Sequence, residues 1–170
     1  NSLLEMFFGP ECVPPSAPTS TAARSLGGDA VDARYKLPRG TLLGGGLSDR
    51  VCKAFCRKFK GPVAHNIDEI SMLAPNKFNQ TDHRARVTTT RFEETMGGLA
   101  NNAAGDFLQL PPVDTPSLAM PIEKEGCPVP EELLPRDATE TDKEKARREA
   151  RWAEMRLGCR LWREQFQTVT

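Results

Sequence analysis

The chain lacks an excess of charge of either sign. Lys+Arg 23 balances Asp+Glu 23 over 170 residues. A broad basic surface that binds nucleic acid by net charge is therefore excluded, which leaves room only for a narrow groove with a few placed groups. It also lacks a long apolar run. Nothing approaches the roughly 20 residues needed to span a bilayer, so no membrane span is expected. Histidine is scarce, with His65 and His83 alone, and the five cysteines are odd in number and scattered. That pattern suits a reducing compartment better than a disulfide framework. Cys52 and Cys56 fall at i,i+4 and read as buried thiols of a helix face rather than a zinc site. Hydrophobic content, 38%, is low for a globular chain. Proline and glycine are what is plentiful, Pro 14 and Gly 13, so much of the chain is loop.

The length allows one domain of ordinary size. Asn1 in place of Met suggests a truncated chain. Ser2 to Phe8 carries Glu5 and no basic n-region, so it reads as the end of an amphipathic helix closed by Gly9-Pro10, not as a signal peptide. Residues 10–46 read as loop with short elements. Ser48 is a candidate N-cap. Val51, Cys52, Phe55, Cys56 and Phe59 then recur at helical spacing until Gly61-Pro62. Arg50, Lys53, Arg57, Lys58 and Lys60 fill the rest of that helix and read as its solvated face. Val63 to Ile67 predicts a strand, 76–86 a polar helix, and Leu99 to Ala104 another strand. Strands alternating with helices predict an α/β fold with a parallel sheet. Residues 114–139, with Pro116, Pro121, Pro128, Pro130 and Pro135, read as a linker or surface insertion. Thr141-Asp142-Lys143-Glu144 matches a capping box. A charged amphipathic helix follows. Its stripe of Trp152, Met155, Cys159, Trp162 and Phe166 is expected to pack on its own domain, since it is short for a coiled coil.

Two acidic motifs stand at predicted strand ends, where parallel α/β sheets carry their functional groups. The first is Ile67-Asp68-Glu69-Ile70-Ser71-Met72. Nucleotide hydrolysis needs a magnesium ion between the β- and γ-phosphates and a group that prepares the attacking water. One carboxylate can hold such an ion, which keeps several waters. Asp68 suits the magnesium and Glu69 the general base, although an Asp-Glu pair alone is also a common surface feature. The second motif is Gly105-Asp106-Phe107-Leu108-Gln109-Leu110-Pro111-Pro112-Val113. The Gln109 amide can donate to a phosphate oxygen and accept from a water, as a γ-phosphate sensor must.

In order along the chain, these residues resemble the petite-integration-frequency (Pif-type) 5′-to-3′ DNA helicases of superfamily 1B. Ala17-Pro18-Thr19 with Thr21-Ala22-Ala23 resembles the motif that contacts single-stranded DNA. Leu26-Gly27-Gly28, Lys36-Leu37-Pro38 and Leu47-Ser48 continue the match. Ile67 to Met72 is similar to the Walker B segment. Met96-Gly97-Gly98-Leu99 precedes Gly105 to Val113, the most specific block. Leu161-Trp162-Arg163 and Phe166 resemble the helix after it. The resemblance implies a partial RecA-like P-loop NTPase domain over 1–113, a Pro-rich linker or insertion over 114–139 and an amphipathic helix over 140–170. It implies ATP and Mg2+ as cofactors, held by Asp68, Glu69 and Gln109, with Asp68 on the metal and Glu69 and Gln109 catalytic. Thr19 would touch a phosphate of single-stranded or forked DNA, a contact that gives register without sequence preference. Unwinding in repair, recombination and telomere maintenance, in the nucleus or mitochondrion, is implied with it.

The chain departs from that pattern in several places. No GxxxxGK[ST] loop occurs in the 170 residues. The resemblance places that loop just before residue 1 and a second motor domain outside the chain, so the isolated chain is expected to be inactive. Asp32-Ala33 falls where the family carries a DNA-contacting His-Ser pair. His65 and Asn66, Asn101 and Asn102, and Val13-Pro14-Pro15 interrupt what should be apolar core strands. Unpartnered amides there would leave a marginal fold. The alternative reading is a catalytically inactive remnant that acts, if at all, as a binding module.

Overall fold

The computed structural model describes residues 6, 7, 9, 12–38, 47–59, 61–113, 115–122, 129 and 140–166. Of the expected N-terminal helix only Met6 and Phe7 are described, both helical and exposed. The rest of Ser2 to Phe8 lies outside the described residues.

Among the described residues four parallel strands form one sheet. β1 is Pro15–Ala17, β2 Asp29–Ala30, β3 Ala64–Ile67 and β4 Ala100–Ala103, and their order is β2-β1-β3-β4. The registers Ser16↔Asp29, Ser16↔Ile67 and Ile67↔Ala103 align the carboxyl ends of β1, β3 and β4. The first strand thus lies later than expected: Pro15 opens it, a position where a missing N–H is tolerated, and Val13 is buried ahead of it.

Among the described residues, five further α-helices connect and cover these strands: α1 (Ser20–Ser25), α2 (Val31–Arg34), α3 (Asp49–Lys58), α4 (Pro75–Thr89) and α5 (Asp142–Phe166). α1 ends in a Schellman turn. Gly28 N–H donates to Ala23 O at 2.8 Å and Gly27 N–H to Arg24 O at 3.0 Å, with Gly27 at φ +69. Ser48 stands at the N-cap of α3 but makes no side-chain cap bond. α4 starts with a proline in its first turn, where the ring fits, and ends at Thr90 in the left-handed region. Thr141 and Glu144 form the expected capping box at α5. Thr141 N–H and Oγ1 donate to Glu144 Oε2 at 2.9 and 2.7 Å.

The polar helix α4 lies at the centre of the fold, not on its surface. Asn76, Gln80, Thr81, Asp82 and Arg84 are all buried. α5 crosses it, so the stripe of Trp152, Met155 and Cys159 is buried and Trp162 and Phe166 pack on the main core around Phe78. The ring centroids of Phe78 and Trp162 are 6.0 Å apart. Gln80 Nε2 donates to Glu154 Oε2 at 2.8 Å across the crossing. From the Pro-rich stretch, Leu118 enters the main core and Ile122 packs beside Trp152.

The polar strand residues are partnered, which corrects the expectation of broken strands. His65 is buried. Its Nδ1 lies 2.6 Å from the Tyr35 hydroxyl and its Nε2 3.0 Å from Met96 O. A carbonyl only accepts, so Nε2 carries the proton and Tyr35 donates to Nδ1. Burial lowers the His65 pKa to about 4, with the nearby Arg34 charge acting in the same direction and the Met96 bond opposing. Burial likewise raises Tyr35 to about 12. Asn66 and Asn102 face each other across β3 and β4, and Asn102 Nδ2 donates to Asn66 Oδ1 at 3.1 Å. Asn101 Nδ2 donates to Gln165 Oε1 at 2.7 Å, which ties β4 to α5. One orphan is left among the described strand amides, the buried Asn101 Oδ1.

Candidate nucleotide site at the strand ends

The expected site residues all follow the carboxyl ends of β1, β3 and β4. Asp68 N–H donates to Ser16 O at 2.8 Å, so the residue after β3 is pinned to β1. Ala104 N–H donates to Ile67 O at 3.0 Å, and Ile70 N–H returns to Ala104 O at 2.9 Å. These reciprocal bonds hold the two acidic motifs side by side. Asp68 and Glu69 are both half-buried. Glu69 sits at φ 52, ψ 37, left-handed for a residue with a β-carbon. Such strain costs about 1–3 kcal/mol and persists only where the surroundings impose it. A one-turn 3-10 helix, Ile70–Met72, follows and leads through Leu73 into α4.

Gly105 makes this juxtaposition possible. A β-carbon there would lie 2.9 Å from Ile70 N and 3.0 Å from Ser71 N. Only a bare backbone lets the second motif approach the turn after Glu69. Asp106 then closes its own loop: its Oδ1 accepts from Leu108 N–H at 2.8 Å, and its carbonyl accepts from Gln109 N–H at 3.1 Å. Gln109 is exposed, and among the described residues no hydrogen bond joins its side chain to either carboxylate. Around it Leu108 is 96% exposed, Leu110 79% and Val113 85%. Phe107 is anchored, its ring 5.4 Å from that of Trp162. The structure therefore brings Asp68 and Glu69 against the backbone of the second motif and leaves Gln109 at the tip of a solvent-facing loop.

Thr19 follows β1 on the same end of the sheet. Its Oγ1 accepts from Ala22 N–H at 3.2 Å and caps α1. Asp32 is exposed and pairs with Lys77 at 3.3 Å. Ser71 escaped the sequence reading. Its amide lies beside Gly105, and its hydroxyl is buried with no hydrogen-bond partner among the described residues. The sequence signal was only its place two residues after Glu69. The described residues gather no group of three or more His, Cys, Asp or Glu side chains around a metal position. A magnesium ion here would lean on one or two carboxylates, water and nucleotide phosphates, which is how this cation is usually held. Among the described residues no helix is long and apolar enough to cross a membrane.

No family profile matches the chain. The ATP-dependent DNA helicase PIF6 of Trypanosoma brucei brucei is 34% identical over 103 residues, 59% of this chain and 13% of that protein. The crystal structure of Bacteroides sp Pif1 in complex with ADP-AlF4 matches with a TM-score of 0.57 and 27% identity over 66% of this chain and 26% of that one. Bacteroides Pif1 bound to ssDNA matches at 0.53 and 28%, and the Pif1 helicase of Candida albicans at 0.52 and 28%. The chain thus spans about an eighth of the curated relative and about a quarter of the solved ones.

Proposed function

We propose that this chain, which belongs to the Pif-type DNA helicase family, supplies part of the first motor domain of an ATP-dependent DNA helicase that couples hydrolysis to 5′-to-3′ unwinding. In this reading residues 1–113 form the motor part, 114–139 join it to the last helix, and 140–170 brace it. The observation that carries the reading is the pairing of two acidic motifs at adjacent parallel strand ends, with Gly105 backed onto the amides after Glu69.

Asp68 would hold magnesium, which when bound neutralises charge between the β- and γ-phosphates. Glu69 would take the proton of the attacking water, and its half-buried, conformationally fixed position suits a base that must be aimed. Gln109 would meet the γ-phosphate once its loop is covered. The exposed Leu108, Leu110 and Val113 support a second motor domain as that cover. Thr19 and the start of α1 would face a DNA phosphate, as supported by similar Pif1 helicases, one solved bound to single-stranded DNA and one that unwinds forked duplex DNA. Work in repair, recombination or telomere maintenance, in the nucleus or mitochondrion, belongs to the same reading.

The test is a chimera in which residues 12–113 replace their counterpart in Bacteroides Pif1. DNA-stimulated ATP turnover is expected, and Glu69→Gln should remove it by a factor of about 100 or more while nucleotide binding survives. A folded chimera that binds nucleotide without turnover would make this chain a non-catalytic copy. The isolated 170 residues, with no GxxxxGK[ST] loop, should not hydrolyse ATP above background.

A further inference from the structure

α3 lays one face on the core and leaves a cavity beside its first turns. Phe55 and Phe59 are buried and meet edge-on, their ring centroids 4.9 Å apart. Cys52 and Cys56, expected as buried thiols, are only half-buried. The cavity holds about 340 Å³ and is lined, among the described residues, by Lys36, Arg50, Val51, Ala54 and Phe55. Sites for small molecules span about 300–1,000 Å³ and combine apolar walls with a few polar groups. Here the walls are Val51, Ala54 and the edge of Phe55, and both polar groups are cations. We propose that this cavity binds a small molecule with an apolar body and an anionic head, a carboxylate or a phosphate monoester.

The two cations carry the assignment. Lys36 stands between the buried Tyr35 and Leu37, and Leu37 N–H donates to Asp32 O at 2.9 Å, so its backbone is held while its side chain is exposed. Arg50 is exposed in the first turn of α3. Neither side chain makes a hydrogen bond or ion pair with the described residues. The acidic groups nearby do not serve them: Asp32 pairs with Lys77 at 3.3 Å, and Asp49 does not line the cavity. Ser48 makes no side-chain cap bond, which leaves the first amides of α3 open to an acceptor. The positive end of the helix dipole favours a negative charge in the same place. The Arg50 fork takes a carboxylate or a phosphate through two parallel bonds, with Lys36 as the second charge. An apolar body would cover Val51, which is 41% exposed. Asp68, Glu69 and Gln109 take no part, so this site stands apart from the nucleotide reading.

The probe is 1-naphthyl phosphate added to the 170-residue chain, followed by its fluorescence, with 2-naphthoate as the carboxylate arm. One molecule per chain is expected, and the tighter of the two names the preferred head group. Neutral 1-naphthol should bind at least about tenfold more weakly, because it lacks the charge that Lys36 and Arg50 meet. Lys36→Gln and Arg50→Gln should each weaken the anion about tenfold, and Ala54→Phe, which fills the cavity, should abolish binding. Lys53→Gln, on the same helix but outside the cavity, should leave it unchanged. All four positions are exposed, so the variants should melt with the parent chain by circular dichroism. Equal binding of 1-naphthol, or an equal loss in Lys53→Gln, would overturn the proposal. Displacement of the probe by single-stranded DNA, with affinity lost in the same variants, would assign the cavity to a DNA path and overturn it too.

Discussion

Gly158 decides whether α5 belongs to the domain. It lies where α5 crosses the start of α4. A β-carbon there would stand 3.0 Å from Pro75 Cα and 2.5 Å from its carbonyl carbon, closer still to the oxygen. Two effects oppose each other in Gly158→Ala. Alanine gains about 1 kcal/mol of helix propensity inside a long helix. Overpacking against a backbone that cannot rotate away costs about 1–3 kcal/mol. Moving α5 back also loosens Met155 and Cys159, which are fully buried on either side, so the steric cost should win by about 1–2 kcal/mol. For a chain of this size each kcal/mol moves the melting temperature by about 2–4 °C, so a fall of several degrees is expected by circular dichroism. Ala150→Gly, on the exposed part of the same helix, calibrates propensity alone at about 1 kcal/mol of loss. An unchanged or raised melting temperature for Gly158→Ala would refute the crossing, because only a detached α5 registers the propensity gain by itself.

Three other outcomes follow from particular contacts. Because the folded His65 titrates near 4 instead of 6.5, the unfolded chain binds the extra proton between those values. Stability should be full above pH 6.5 and fall by up to about 3 kcal/mol as pH drops towards 4; urea unfolding of His65→Gln should lose most of that slope, and parallel curves would contradict it. Thr141→Ala removes the capping box and should cost about 1 kcal/mol, seen as faster amide exchange in the first turn of α5 while the buried turns keep their protection. Glu69→Gly relieves a left-handed residue worth about 1–2 kcal/mol against a glycine entropy cost of about 0.5–1 kcal/mol. The chain should therefore melt no lower than its parent, and a clear drop would mean that the carboxylate holds the fold.

β3 and β4 were legible despite His65, Asn66, Asn101 and Asn102, because segments alternating with helices end in two acidic motifs whose spacing marks the strand ends; the two-residue β2 carried no such mark. The capping box and the stripe of α5 were legible for the same local reason: periodicity reports which face is covered. What the sequence hid was the covering partner. The sequence reads α4 only as a polar helix, with Asn76, Gln80, Asp82 and Arg84 along it, yet it is central. Some of its polar groups are met by particular atoms, such as Met96 N–H on Asp82 at 2.6 Å and Glu154 on Gln80 at 2.8 Å, and no period encodes such a match. His65 looked like damage for the same reason. Its two partners, Tyr35 and Met96, lie 30 and 31 residues away in opposite directions, and pairwise satisfaction at that range is invisible to a local reading.

Four described residues with side chains take positive φ: Lys36, Glu69, Thr90 and Met96. Three of them have a structural reason or none that bears on chemistry. Thr90 terminates α4. Met96 is held by the buried Asp82 carboxylate and spends its carbonyl on His65. Lys36 follows α2 in an exposed turn. Glu69 differs, because glycine would serve its backbone better and its side chain makes no hydrogen bond or ion pair within the described residues. A strained residue that does nothing for the fold fits the proposed role of its carboxylate, which faces outside it. Gly105 lies opposite with the converse property, a position where any side chain would part the two motifs. Strain at Glu69 and openness at Gly105 both fall beside Asp68, so the proposed chemistry would lie at the end of the sheet where the backbone gives up most stability.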